Sequence, residues 1–283
     1  MHMQINIANI GNKEWLDFKS DITFGLYFAL KELDHDVTIS INNLESNKLN
    51  IIIGADFLSD HTKFINQVVK SNIEYVIYEV EKFDEFIIND RSNFNSQSYR
   101  ILIEAAKFIV TPYLFNVKSY SRCLDSKKIH YARWGFHESM VNKNILRSNN
   151  FDFDGLFFGL LKGLRLEKMR SLAANKKIKI KLVGRDDPLL YRDYFISSCK
   201  WGLNLSYGDT EKFINPFRLY SMGSNGMPIL SDGGKDEDDY LSLCKIADFS
   251  NFESYLCRDV EKFSDISEQF RNIKLIDSLR GIF

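Results

Sequence analysis

The chain has 283 residues, of which 45% are apolar and 27% charged. Those are globular proportions, and at ~100–200 residues per domain the length favours two domains. With 37 basic against 38 acidic residues, and only 4 Pro and 15 Gly, the chain is neither disordered nor collagen-like, and no bulk field draws it to nucleic acid or an anionic surface.

In chain order, Gln4-Ile5-Asn6-Ile7-Ala8 is a short β-prone run, and residues 11–20 read as a loop. From Asp21 the apolar residues Ile22, Phe24, Leu26, Phe28, Ala29, Leu30 and Leu33 fall mostly three and four apart. That spacing predicts a helix, with Asp21 or Ser20 as its N-cap. Strand signals follow at 37–41, at 50–53 closed by Gly54, and at 75–78. A helix is expected over 98–106, a strand over 108–110, a helix over 114–122 and a strand over 129–132. The polar stretch 138–150 is the candidate boundary, giving domains 1–140 and 150–283.

A second series follows. It predicts a strand at 155–158 ending at Gly159, a helix at 164–174, and an alternating strand at 178–183 ending at Gly184. Then come a helix at 189–198, a strand at 201–205, a helix at 216–224 and a strand at 228–231, with helices from 252 to about 279. The final helix is a candidate to pack back on the N-terminal domain. Short apolar strands alternating with helices predict α/β, doubly wound, parallel sheets.

No run approaches the ~18 apolar residues of a membrane span. Residues 1–6 lack the cationic start and apolar block of a secretory signal. The four cysteines, Cys123, Cys199, Cys244 and Cys257, form no close pair. That spacing speaks against a zinc site or a disulfide framework, so a cytoplasmic protein is expected.

Open α/β sheets bind ligands beyond the C-terminal ends of their strands. Two places in the second half carry chemistry. Phe158-Gly159-Leu160-Leu161-Lys162-Gly163-Leu164-Arg165 joins a strand to a helix through two glycines. Glycine lets backbone N–H groups approach an anion, a helix N-terminus favours negative charge, and Lys162 and Arg165 add cations. An ordinary βα turn would read the same way. In Asn215-Pro216-Phe217-Arg218, Asn215 suits an N-cap and Pro216 the first helical position. Arg218 then sits in the first turn, where a cation opposes the helix dipole by about 0.3–1 kcal/mol. A bound phosphate would account for it, and so would pairing with Asp209 or Glu211.

Residues 213–220 followed by Gly226-Met227-Pro228-Ile229-Leu230-Ser231-Asp232 resemble the donor-site block of CgeB-like glycosyltransferases with the GT-B fold. Residues 21–37, ending Asp34-His35-Asp36-Val37, are similar to that family's first helix and its G-H-x-V ending. Leu156-Phe157-Phe158-Gly159 with Arg165, and residues 191–205 with Leu203-Asn204, are similar to two further motifs in the same order. The resemblance implies two Rossmann-like domains facing across a cleft, with an N-terminal acceptor side. It implies a nucleotide-sugar donor held by the C-terminal domain, through Gly159, Arg165, Gly184, Asn215, Arg218 and Ser221. Arg185, beside Gly184, falls where the nucleobase is held. The resemblance also implies a glycan, lipid or protein acceptor and no nucleic acid, no cofactor and no tightly bound metal. Peripheral membrane association is left open. Three positions depart from the pattern: Ser221 stands where the family has Glu or Asp, Phe213 at the first glutamate of the E-x7-E pattern of many retaining GT-B enzymes, and Asp34 where the family has Gly.

An inverting transfer needs a general base. Asp21 and His130 are the catalytic candidates, with His137 and Glu79 behind them, although N-capping and structural roles compete for each. The acidic run 236–239 reads as a solvated loop. A catalytically silent nucleotide- or glycan-binding subunit and a sugar-nucleotide epimerase remain the other readings.

Overall fold

The computed structural model describes all residues except 1, 13–15, 17–18, 85–86, 89–94, 146–149, 185–188, 207–213, 259 and 261–263, and describes the backbone alone at 87, 189, 190 and 264. It divides into two compact units, Met1–Trp134 together with Leu275–Phe283, and Gly135–Lys274. The division falls at Gly135, before the polar stretch, and the last nine residues return to the first unit.

The first unit runs β1 (Gln4–Asn9), α1 (Ser20–Glu32), β2 (Asp36–Ile41), β3 (Leu49–Ile53), a 3-10 turn (Ala55–Asp60) and α2 (Thr62–Lys70). It continues through β4 (Tyr75–Tyr78), the short pair β5 (Phe83–Asp84) and β6 (Ile87–Ile88), α3 (Ser96–Ala105), β7 (Ile109–Thr111), α4 (Leu114–Tyr120) and β8 (Ile129–Tyr131). Six strands form one sheet in the order β2-β1-β3-β4-β7-β8. Every pairing in it is parallel. β3 and β4 are buried along their whole length, as strands covered on both faces must be. Each fully buried Ile in them contributes roughly 1.5–3 kcal/mol.

One local expectation needs correction, and one helix was not anticipated. α1 begins one residue early, with Lys19 as its N-cap and no side-chain cap. Asp21 lies inside the first turn, where its carboxylate complements the helix dipole without capping it. α2 gave little signal, because Ile65 and Val68 alone are fully buried on it. By contrast, Asp34 has a φ of +65°, the left-handed conformation that a Gly serves at this turn and that Asp tolerates.

The second unit contains β9 (Phe153–Phe158), α5 (Gly163–Ala174), β10 (Ile180–Val183), α6 (Leu189–Ser198), β11 (Cys199–Asn204), α7 (Pro216–Gly223), β12 (Ile229–Ser231) and β13 (Lys245–Ile246). Its strands are all parallel, in the order β10-β9-β11-β12-β13. The helical tail divides into α8 (Phe252–Leu256) and α9 (Ser264–Arg271), followed by α10 (Leu275–Leu279), which packs on α1 of the first unit's own fold. The core gathers Phe157, Trp201, Leu203 and Leu230 with Phe252 and Leu256 of α8.

In each sheet the first strand lies between the second and the third, so the winding reverses beside it. Such a reversal opens a crevice beyond the strand ends. It falls at β1/β3 in the first unit and at β9/β11 in the second.

Candidate functional site

The crevice beyond β9 and β11 is built from four local devices. β9 ends at Gly159, whose φ of +125° is open to glycine and strained for other residues. α5 starts at Gly163, and its N-cap, Lys162, makes no side-chain hydrogen bond to the helix. α7 starts as its sequence predicts: the Asn215 side chain accepts from the Arg218 N–H at 3.0 Å, and Pro216 opens the helix. The helix closes at Gly226, whose φ is +76°, while the Met227 N–H reaches the Met222 carbonyl at 3.2 Å.

Two arginines meet at the Phe157 ring. Arg165 is 8% exposed and Arg218 is 4% exposed. Their guanidinium carbons lie 5.5 Å and 5.0 Å from the Phe157 ring centre, and that of Arg218 lies 5.9 Å from Phe158. Arg165 donates to the carbonyls of Leu205 and Leu160, each at 3.0 Å. It thereby ties the loop after β9 to the end of β11. Arg218 donates to the Asn204 side-chain oxygen at 3.4 Å. The site therefore brings two buried guanidinium groups to one aromatic ring.

Gly159 reaches β10 through its N–H, which donates to the Val183 carbonyl at 3.3 Å, so Gly184 borders the same crevice and is exposed. Ser221 lies one turn along α7. Its hydroxyl donates to the Phe217 carbonyl at 2.8 Å, back into its own helix. Arg185, Asp209, Glu211 and Phe213 lie outside the described residues.

Sequence reasoning missed the scaffold of this crevice. Asp232 accepts from the Ser206 N–H at 2.9 Å, the Ser206 hydroxyl at 2.7 Å and the Lys168 amine at 2.6 Å. Asn204 donates to Ser231 at 3.0 Å. The Ser-Asp pair at the end of β12 therefore anchors both the loop after β11 and helix α5. Asp236, in the acidic run, accepts from the Leu241 N–H. Among the described residues no group of three or more His, Cys, Asp or Glu could hold a metal ion.

The two catalytic candidates both lie in the first unit but are not brought together. Asp21 sits at the start of α1, just after β1, whereas His130 is in the middle of β8. β3, β4 and β7 lie between β1 and β8, which sets those two strands on the order of 19 Å apart at ~4.8 Å per strand. His130 packs edge-on to Phe108 at 4.9 Å, and its partial burial lowers its pKa. His137 caps a short turn by accepting from the Ser139 N–H at 3.0 Å. Glu79 is fully buried: Tyr99 and Tyr120 both donate to its Oε2, the latter at 3.1 Å, and burial and Asp56 push its pKa up to about 7.

No family model and no curated protein matches the chain. Solved structures do. An α-glucosyltransferase in complex with UDP and a 13-mer DNA containing an A:G mismatch shares 12% identity, with 98% of this chain and 95% of that one covered at a TM-score of 0.56. The DNA-modifying enzyme β-glucosyltransferase gives 13% identity, 98% and 95% coverage and a TM-score of 0.56. A UDP-N-acetylglucosamine 2-epimerase of Listeria monocytogenes gives 13%, 97% and 94%, and 0.52. At such identities the likeness is one of fold: the chain has the GT-B fold, with two Rossmann-like α/β units.

Proposed function

We propose that the chain is a GT-B glycosyltransferase that moves a sugar from a nucleotide-sugar donor to a hydroxyl of a glycan, lipid or protein acceptor, in cell-surface glycan biosynthesis in the cytoplasm. The observation that carries this reading is the pair of buried guanidinium groups, Arg165 and Arg218, on the ring of Phe157 beside Gly159. A pyrophosphate is the ligand such a pair suits, because forked donors and helix N–H groups can share its oxygens. The resemblance to CgeB-like enzymes assigns the same residues to the donor. Several structures of the same fold are named as UDP complexes, which makes UDP the first nucleotide to test. Gly184 would border the nucleobase, and Asn215 would supply the helix start that faces the diphosphate. The near-neutral net charge gives no bulk attraction to nucleic acid, whereas the similar α-glucosyltransferase is named as a complex with DNA, so a DNA acceptor is the competing choice.

In this reading the acceptor oxygen forms a bond to the sugar's anomeric carbon as the bond to the diphosphate oxygen breaks. The electron pair leaves with the diphosphate, whose charge the two arginines and the N-terminus of α7 stabilise without a metal. The acceptor proton goes to a carboxylate or imidazole. Asp21 is the first choice because it lies in the first turn of the helix that follows β1, and His130, whose pKa burial lowers, is the second.

Ser221 supports a second reading. Its hydroxyl is committed to Phe217, and serine offers no charged two-oxygen acceptor for a ribose. A nucleotide-binding subunit without turnover fits that substitution. One experiment separates the two: thermal shift against UDP, GDP, dTDP, CMP and ADP, followed by mass spectrometry of the matching nucleotide sugars. A bound nucleotide raises stability by about 2.7 kcal/mol at a hundred times its Kd. Stabilisation with release of free nucleotide supports the enzyme. Stabilisation without turnover supports the silent subunit, and no stabilisation by any nucleotide overturns both.

A further inference from the structure

The opening and closing stretches of the second unit are both tied to the far end of α7, the helix whose first turn carries Arg218. Asn225, two residues past α7, makes the first tie. Its amide donates to the Ser221 carbonyl of α7 at 2.9 Å and to the Met140 carbonyl at 3.0 Å, and its oxygen accepts from the Asn142 N–H at 2.8 Å. Both amide protons of one side chain are spent on joining residues 140–142 to the helix. The second tie is aromatic. Phe270, fully buried on α9, stands edge-on to Tyr220 at 5.1 Å and lies so close to Gly223 that a Cβ there would overlap its ring.

The two stretches also hold one another. The Phe136 N–H donates to the Ile273 carbonyl at 2.6 Å, and Phe136 forms an isolated parallel bridge with Lys274. Arg271, next to Phe270, pairs with Glu138 at 3.1 Å and sets its guanidinium 4.9 Å from the Phe136 ring centre.

All eight residues of α7 are buried. A short helix packed on every side moves as one body, because a dense interior transmits a displacement and does not absorb it. The place of the Arg218 guanidinium on Phe157 and Phe158 is therefore set in part by what grips the opposite end of the helix. We propose that Asn225 and Phe270 are positioning residues for Arg218, so that a diphosphate held at one end of α7 and the Phe136–Ile273 hydrogen bond near the other strengthen each other. Linkage makes the effect reciprocal: if the ligand favours that bond, loosening the bond weakens the ligand by the same factor. The proposal rests on the nucleotide-binding reading of the two arginines.

The test uses the full chain, with UDP and inorganic pyrophosphate as ligands. Hydrogen-exchange mass spectrometry follows residues 135–142, and calorimetry gives the affinities. In the parent, ligand is expected to slow exchange over 135–142 at least threefold. Asn225→Ala and Arg271→Ala should each lose that slowing and bind ligand at least threefold more weakly. Arg271 is exposed and Asn225 half-buried, so these variants keep the test valid even where Phe270→Ala unfolds. Ile178→Val, a core change in the same unit, should keep both the slowing and the affinity. Ligand binding with no slower exchange overturns the proposal and leaves the arginine site standing. So does parent-like affinity or retained slowing in either alanine variant, and so does loss of the slowing in Ile178→Val, which would assign it to stability alone. No binding of either ligand to the parent overturns the arginine reading itself and this proposal with it.

Discussion

Arg218 fills the space that a side chain at position 159 would need: a Cβ on Gly159 would lie 2.9 Å from its Nη2 atom. The glycine that ends β9 thus serves two ends, a left-handed backbone and a berth for a buried guanidinium. Gly159→Ala is expected to strain the turn by roughly 1–3 kcal/mol and to displace Arg218. UDP titration calorimetry on this variant should show binding weakened at least tenfold. Unchanged affinity would separate Arg218 from the nucleotide.

Arg218→Ala removes the cation itself. A hydrogen bond to a charged group is worth about 1.5–3 kcal/mol, so UDP affinity should fall roughly 10- to 150-fold. Arg218→Lys keeps the charge but not the fork, and should fall between parent and alanine variant. Parent-like calorimetric affinity in the alanine variant would remove the arginine from the site.

Asp232→Asn tests the scaffold. The asparagine can still accept from Ser206, but the partly buried Lys168 amine loses its carboxylate, at a cost of about 1.5–3 kcal/mol. Urea unfolding should show the midpoint fall, with nucleotide affinity falling as the loop after β11 loosens. An unshifted midpoint would mean that the Lys168–Asp232 ion pair carries no stability.

Glu79 makes stability depend on pH in an unusual direction. Its carboxyl keeps its proton in the fold up to about 7, against an ordinary value of 4.5 when unfolded. Between those values the native state binds more protons than the unfolded one, so stability falls as pH rises, by roughly 3 kcal/mol in all. Glu79→Gln, which cannot ionise, should flatten that slope between pH 4.5 and 7.5 in denaturant titrations. A slope as steep as the parent's would assign the effect to other groups.

The strands were legible because their signal is local. Ile51-Ile52-Ile53 and Val76-Ile77 are apolar runs that burial on both faces demands. The start of α7 was legible for the same reason, since Asn215 and Pro216 act on the next three residues. What stayed hidden joins distant positions: Asp232 to Lys168 and Ser206 in the second unit, Asn42 to Gly11 in the first. No spacing rule marks such pairs. The N-cap of α1 misled because Asp21 is as favourable one position inside a helix as at its boundary.

The return of Leu275–Phe283 to the first unit makes the second an insert, entered after Trp134 and left at Lys274. A chimaera that exchanged the second unit for a homologous one would therefore need two splice points. Clipping the chain's last helix would injure the half that begins with Met1.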